Sequence, residues 1–306
     1  MKEPLVFLND AFVPASKASL RIYDLGVVMG ATFTEMTRTF AGAPFRLGDH
    51  LTRLSASLEY GGVAISLTPE ALRERTLHLI RENFPLLENG QDLAIVCFVT
   101  AGESPIYAGR AGGSTPLKPT VCIHSFPLAF ARWQEIFAQG AHVVTPAIRH
   151  IPPECIDAKA KHRSRLHWFL ADQKVREIDP KALSLLLDMN GNITESAGAN
   201  FLICKDRTVF SPTGRNILQG VSLQTIREIA AELKLDWVEK DLQVGDVVSA
   251  EEAWLASTPY CIAPCTRINS IAVGDGKIGA TFRAIQAKWS ERVGMDIERQ
   301  IRQARY

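Results

Sequence analysis

The sequence predicts an α/β protein of two domains, with α+β character in its second half. Its 306 residues are 46% hydrophobic, enough for two cores when one domain holds about 100–200 residues. Runs rich in β-branched and aromatic residues alternate with runs of helical period in both halves of the chain. Between the halves, from Pro127 to Gln139, Pro, aromatic and polar residues mix without a period. The expected division is a small N-terminal α/β domain over residues 1–127, a linker over 128–139 and a larger domain over 140–306.

Each element has a local reason. Leu5–Val13 reads as a hairpin, two apolar runs hinged on Asn9-Asp10, a pair that tolerates turn backbone. Thr32–Phe40 alternates and ends in the turn Ala41-Gly-Ala-Pro44, which marks a strand. Helical period follows, with Leu51, Leu54 and Leu58 on one stripe and Asp49 near the start. A second helix is expected from Pro69 to Asn83. Strands at Leu93–Thr100 and Thr120–Phe126 flank a Gly-rich loop, residues 101–113. In the second half, strands are expected at Ala141–Thr145, Ala182–Asp188, Asn200–Cys204, Thr208–Ser211, near Trp237, and at Ala253–Ser257. Helices are expected through Arg165–Arg176 and at Ser222–Leu233, where Ile226, Ile229, Ala230 and Leu233 keep the spacing i, i+3, i+4, i+7.

Charge and cysteine usage narrow the function. The formal net charge is +1 and the basic residues are scattered, which leaves no electrostatic footprint for nucleic acid or an anionic membrane. Small-molecule chemistry is favoured. The six cysteines lack CxxC spacing, and no apolar run of about 18 residues or leader-like segment is visible. The expectation is a reduced, cytoplasmic protein whose thiols are buried small hydrophobes and not metal ligands.

Several residues have the chemistry for a reactive site. Lys161, in Asp157-Ala-Lys-Ala-Lys161-His-Arg-Ser-Arg165, is a basic nucleophile beside two arginines. Glu195 follows on what reads as a Gly-containing turn, Asp188-Met-Asn-Gly-Asn-Ile-Thr-Glu195. A lysine needs a neutral amine to attack a carbonyl, and burial or nearby cations such as Arg163 and Arg165 lower its pKa. Lys159 is a rival, because residues two apart in a strand project from one face. Gln219-Gly220-Val221-Ser222 opens an amphipathic helix whose orphan N–H groups suit a phosphate, although the same residues would cap a helix with no ligand. Thr258 and Arg53 are equally double-sided: a strand-end hydroxyl or anion ligand, a solvated helix cation or phosphate partner.

The order of these motifs resembles the class IV aminotransferases, the fold-type IV pyridoxal phosphate enzymes that include branched-chain aminotransferase, D-amino acid aminotransferase and aminodeoxychorismate lyase. The resemblance spans about Leu5 to Gly276. It rests on Asp24-Leu-Gly26, Gly30–Arg38, Phe45–Leu54, the Lys161 segment, Asp188–Asn200, Leu218–Ser222 and Ala256-Ser-Thr258. It implies a two-domain fold with pyridoxal 5'-phosphate between a small N-terminal and a larger cofactor-binding domain. Lys161 would be the Schiff-base lysine and proton shuttle. Glu195 would face the pyridine nitrogen, and Arg53, Val221, Ser222 and Thr258 would hold the phosphate. The family's branched-chain members place the lysine 34 positions before the glutamate, which selects Lys161 over Lys159.

Departures from the family pattern bear on substrate. Branched-chain members carry a tyrosine five residues after the lysine, where this chain has Leu166, so the partner of the cofactor's phenolic oxygen stays open. The family's D-amino acid enzymes have a carboxylate-binding arginine in the segment matching Val99–Pro105, where this chain has Ala101. Arg38 is the candidate to hold a carboxylate instead, against a surface ion pair. Tyr107 and Arg110 sit in a loop that either covers a substrate or is simply surface. The implied activity is transamination between an amino acid and a 2-oxo acid, with an L-amino acid, branched-chain or hydrophobic, preferred. The alternatives are a pyruvate-releasing lyase of the aminodeoxychorismate type and a non-catalytic cofactor-binding module. A homodimer is also implied.

Overall fold

The computed structural model describes residues 2–109 and 117–304. The chain divides into two compact units, one of residues 1–128 with 160–165 and one of residues 129–159 with 166–306.

The first unit is a six-stranded sheet with helices on one face. Its strands are β1 (Leu5–Leu8), β2 (Ala11–Pro14), β3 (Thr32–Phe40), β4 (Ala43–Pro44), β5 (Leu93–Thr100) and β6 (Thr120–Pro127). They pair in the order β2-β1-β6-β5-β3-β4, antiparallel throughout. Helix α1 (Leu25–Val28) is one turn; α2 (Leu47–Tyr60) and α3 (Pro69–Asn83) supply the cover. The stripe Leu51, Leu54 and Leu58 meets Leu72 and Leu79 of α3 and the sheet residues Ile95, Cys97, Val99 and Ile123 in one buried cluster. Alternation sends Val96, Phe98 and Cys122 to the opposite face, with Met36 packed against them.

Residues 160–165 belong with the first unit because their backbone completes it. The Thr34 amide donates to the Lys161 carbonyl at 2.9 Å, and the Arg163 amide donates to the Thr32 carbonyl at 2.9 Å. Phe33 and His162 form the antiparallel bridge between them. The Lys161 amide in turn donates to Ser57 Oγ at 3.1 Å. A short extended segment, bridged at His162, is thereby added to the edge of β3 at its N-terminal half, while β4 takes its C-terminal half. No period in the sequence announces this, because the segment is too short to have one.

In the second unit, helix α4 (Gln134–Gln139) precedes β7 (Ala141–Val144), and α5 (Leu166–Ile178) precedes β8 (Leu183–Leu187), β9 (Ile193–Ser196), β10 (Ala199–Lys205) and β11 (Thr208–Ser211). Then come α6 (Val221–Glu232), β12 (Asp236–Glu239), α7 (Val244–Val248), β13 (Glu252–Ser257), β14 (Cys261–Ile268), β15 (Ile271–Ala272), α8 (Ala280–Val293) and α9 (Ile297–Arg302). The sheet runs β12-β11-β10-β13-β14-β7-β8-β9, and β9 pairs back onto β10. Six of its strands, from β10 round to β9, therefore close a ring, which leaves β9 no open edge.

Three features differ from the sequence expectation. The stretch 128–139 carries a 3₁₀ turn (Phe130–Trp133) and α4, and it belongs to the second unit from residue 129 on. Burial of Phe130 and Phe137 explains this. Glu195 lies on a strand, β9, and the turn precedes it, closed by Asp188 Oδ1 accepting from the amides of Asn190 and Asn192. Strand β14 and helix α8 have no counterpart in the sequence reading.

Asp92 organises the β3–β4 end of the first sheet. Its fully buried carboxylate accepts from Thr39 Oγ1 at 2.6 Å and from the amides of Ala41 and Gly42 at 3.2 Å, and it lies 3.8 Å from the guanidinium of Arg38. Removing one partner of a buried ion pair leaves the other charge uncompensated. Asp92→Ala is expected to lower unfolding free energy by about 3–5 kcal/mol, read as a lower denaturant midpoint in urea.

Candidate active site

In the first unit, the cluster begins with alternation on β3, which aims Glu35 at the helix-covered face. On α2, residues His50, Arg53 and Ser57 form a polar stripe at i, i+3, i+7. Arg53 donates to both oxygens of Glu35, from Nε at 2.6 Å and from Nη2 at 2.7 Å. His50 Nδ1 lies 2.8 Å from the second of these oxygens. Burial alone would push the Glu35 carboxyl up, but the hydrogen bonds of Arg53 and His50 and the charge of Arg53 overcome it and hold the pKa at about 2. Burial lowers His50 below the ordinary imidazole value against the pull of Glu35, and the charges of Arg53 and Lys161 lower it further. His50 is therefore neutral, and Nδ1–H donates to an ionised Glu35. Ser57 completes the stripe by accepting the Lys161 amide.

That arrangement separates the two lysines. Lys161 is half-buried in the first unit, with its peptide bonded on both sides. Lys159 is exposed and belongs to the second unit, where its amide donates to Asp157 Oδ1 at 2.9 Å. Gly30 supports the lysine strand: its φ is +72° and its carbonyl accepts Ser164 Oγ at 2.8 Å, a backbone shape an L side chain rarely adopts.

In the second unit, Glu195 pairs across the β9–β10 ladder with Asn200, which pairs in turn with Ala256 of β13. Glu195 Oε2 accepts the Leu218 amide at 3.0 Å and Asn200 Nδ2 at 3.2 Å. Asn200 Nδ2 also donates to the Leu218 carbonyl at 2.8 Å. The other carboxylate oxygen lies 3.7 Å from His150 Nε2. Leu218 leads directly to Gly220, the N-cap of α6, where a Cβ would collide with Asn200 Oδ1. The cap has no side-chain hydrogen bond, so the first-turn amides of Val221, Ser222 and Leu223 face outward from the helix start. Thr258 follows the C-terminal end of β13, next to the strand that carries Asn200.

The second unit thus gathers Glu195, Val221, Ser222 and Thr258 at one end of its ring, and the first unit gathers Arg53 and Lys161. Each unit by itself holds groups of the kind pyridoxal phosphate calls for: the first a lysine amine, the second a carboxylate with an oxygen to spare and a helix start cleared of side chains. Arg38 is not part of either group: it is 1% exposed, its Nε donates to the Thr39 carbonyl at 3.1 Å, and its guanidinium lies 3.9 Å from the Phe40 ring centre and beside Asp92. The surface ion pair weighed for it is in fact a buried one. Tyr107 is exposed in the turn 105–109. Arg110 lies outside the described residues. Leu166 is exposed at the start of α5.

The sequence reading missed Glu35, His50, Asn200 and His150. For the first two a signal existed: the stripe His50, Arg53, Ser57 is polar where a buried helix flank should be apolar.

The sequence model of the amino-transferase class IV family matches residues 32–268. A putative branched-chain-amino-acid aminotransferase of Methanocaldococcus jannaschii is 25% identical over 94% of this chain and 98% of its own length. A D-alanine aminotransferase of Staphylococcus epidermidis is 27% identical over 92% of this chain and 95% of its own. The branched-chain amino acid aminotransferase of Escherichia coli superposes with a TM-score of 0.86 at 24% identity, covering 95% of this chain and 94% of that one. The branched-chain amino acid aminotransferase of Thermobaculum terrenum, in its PLP-bound holo-form, gives 0.81 at 19%, covering 95% and 94%. The fold is that of the fold-type IV enzymes.

A carboxyl held at about 2, against an ordinary 4.5, stabilises the fold fully above pH 4.5 and loses that contribution as pH falls toward 2. The difference corresponds to roughly 3 kcal/mol. Glu35→Gln is expected to be less stable at pH 7 by an amount of that order, and the gap in melting temperature should narrow when both proteins are melted at progressively lower pH from 5 to 3.

Proposed function

Because the chain belongs to the amino-transferase class IV family, and so is a pyridoxal phosphate-dependent transaminase, we propose that Lys161 carries its covalent and proton-transfer chemistry. We propose further that its preferred amino donor is an L-amino acid with a hydrophobic side chain. The bound cofactor supplies the electron sink that makes a substrate α-proton removable. Lys161 is the base that takes this proton and the acid that returns it. Its main chain is fixed on both sides, so the amine swings from a set point. Glu195 presents a carboxylate to the ring nitrogen and favours that nitrogen's protonated form, with Leu218 and Asn200 fixing the carboxylate's plane. For the phosphate we assign, in the second unit, the amides of Val221 and Ser222 and the hydroxyls of Ser222 and Thr258, and, in the first, Arg53, oriented by Glu35.

The observation that carries the donor preference is the sheet face on which Lys161 projects. Opposite residues in an antiparallel pair share a face, so Lys161 lies in a row with Thr34 and Phe98, next to the row of Met36 and Val96. An apolar surface beside the amine suits a hydrophobic side chain. The D-alanine aminotransferase relatives support the D-amino acid as a second reading.

We also propose a homodimer in the cytoplasm. Ile22, Val27, Met29, Ile106 and Tyr107 are exposed in the first unit on segments joined by the Asp24–Glu103 bridge, an apolar patch that a second copy would cover. Cys97, Cys122, Cys204, Cys261 and Cys265 are buried thiols, as suits a reducing compartment. Among the described residues no helix is long and apolar enough to cross a membrane.

Borohydride reduction of the holoenzyme is expected to leave cofactor covalently on Lys161; Lys161→Ala should abolish the adduct and Lys159→Ala should retain it. With 2-oxoglutarate as acceptor, kcat/KM for L-leucine or L-valine should exceed that for D-alanine by about tenfold or more, and the opposite order overturns the stereochemical reading. Sedimentation of Val27→Asp/Ile106→Asp should give the monomer mass where the unchanged protein gives the dimer.

A further inference from the structure

The next residue along the face that carries Lys161 is an arginine with no counter-ion among the described residues. Arg163 pairs with Thr32, and Thr32 pairs with Thr100, so Arg163 projects from the same face as Lys161 one row further on. Residues two apart on a strand are separated by about 6.6 Å. The guanidinium carbon stands 4.5 Å from the centre of the Phe98 ring, which belongs to the lysine's row. The guanidinium therefore reaches across β3 to the row of Lys161, two strands further into the sheet.

Three facts set it apart from an ordinary surface cation. Among the described residues, Arg163 forms no ion pair and no side-chain hydrogen bond, although a second arginine, Arg165, follows two positions on. Arg38, on the same face of β3, is already committed to Asp92, Thr39 and Phe40. Stacking also occupies the flat face of a guanidinium and leaves its N–H donors pointing outward in the guanidinium plane, the geometry that takes a carboxylate through two parallel hydrogen bonds. Phe98, 8% exposed at the centre of the sheet, lies beneath the guanidinium carbon.

We propose that Arg163 is a specificity-determining residue that receives a carboxylate of the amino acid or 2-oxo acid substrate. This rests on Lys161 being the covalent lysine. The chain then carries its nucleophile and its carboxylate receiver on either side of one bridge residue, His162, and an amine without a carboxylate gains nothing from the second. Arg163 would supply to an amino acid what the Ala101 segment lacks and Arg38 cannot give.

The test uses holoenzyme carrying Arg163→Met, which keeps an apolar stem over Phe98, and Arg163→Lys, which keeps charge without the planar fork. Calorimetry of two unreactive ligands, butanoate and glutarate, is expected to show affinity falling about 10- to 100-fold in the Met variant and less in the Lys variant. KM for pyruvate, 2-oxoglutarate and L-leucine should rise by a similar factor while kcat/KM for a simple alkyl amine donor is unchanged. If butanoate and pyruvate weaken together with glutarate, the guanidinium takes the carboxylate next to the reacting carbon. If only glutarate and 2-oxoglutarate weaken, it takes the distal one. Unchanged affinity for every carboxylate in the Met variant overturns the proposal. So does loss of borohydride-trapped cofactor in both variants, which would place Arg163 in service of the cofactor or the fold. Absence of trapping on Lys161 in the unsubstituted protein is a separate result and would overturn the lysine assignment itself.

Discussion

The main-chain pairing of residues 161–163 with the edge of β3 is the constraint on which the proposed chemistry depends. A lysine on a free loop would sample many positions, and every contact it made would first have to offset the entropy of ordering it. Here the carbonyl of Lys161 and the amide of Arg163 are spent on Thr34 and Thr32, and the amide of Lys161 on Ser57. The register then decides which way each side chain projects. Lys161 and Arg163 go to one face and His162 to the other, and a slip of one residue would exchange them. Ser57 ties that register to α2, the helix that also carries Arg53 and His50.

Buried charge is handled by local saturation in the first unit. Glu35 is surrounded by Arg53 and His50, and Asp92 by Arg38, Thr39 and two amides. Each carboxylate accepts several hydrogen bonds inside the fold, as burial in a medium of low dielectric requires. This determines which cations remain for a ligand. Arg38 is chemically identical to Arg163 and sits on the same face of the sheet, yet its burial beside Asp92 makes it part of the scaffold. Availability is a property of the neighbours, which a sequence does not display.

Much of the fold was legible for that reason and some of the site was not. The strand from Thr32 to Phe40 and the helices over Leu51–Leu58 and Ile226–Ile229 are long enough for period to identify them, and Leu93–Thr100 is identified by its unbroken apolar run. Residues 160–165 are not: their membership in the first unit comes from hydrogen bonds to β3, a strand far earlier in the sequence. The turn before Glu195 was readable from Asp188, Asn190 and Gly191, but the four-residue strand that aims the carboxylate is defined by its two neighbours, β8 and β10. Asn200 is similar. Its role, bridging Glu195 and Leu218 where Gly220 must lack a side chain, exists only once three separate segments are brought together.

The arrangement also separates what can change from what cannot. Backbone groups hold the lysine strand on β3, and backbone groups are the same whatever the side chain. The positions after Lys161 can therefore vary without releasing the nucleophile, provided Ser164 still meets the Gly30 carbonyl. The second unit has no such freedom: the Glu195 carboxylate is held by the Leu218 amide and Asn200, and the start of α6 needs Gly220. On the proposed assignment of Lys161, a chain organised in this way would keep one chemistry and change its substrates by altering the residues that follow the lysine. In this protein, those residues are where it departs from the branched-chain pattern most visibly, with Arg163 in the lysine's strand and Leu166 opening α5.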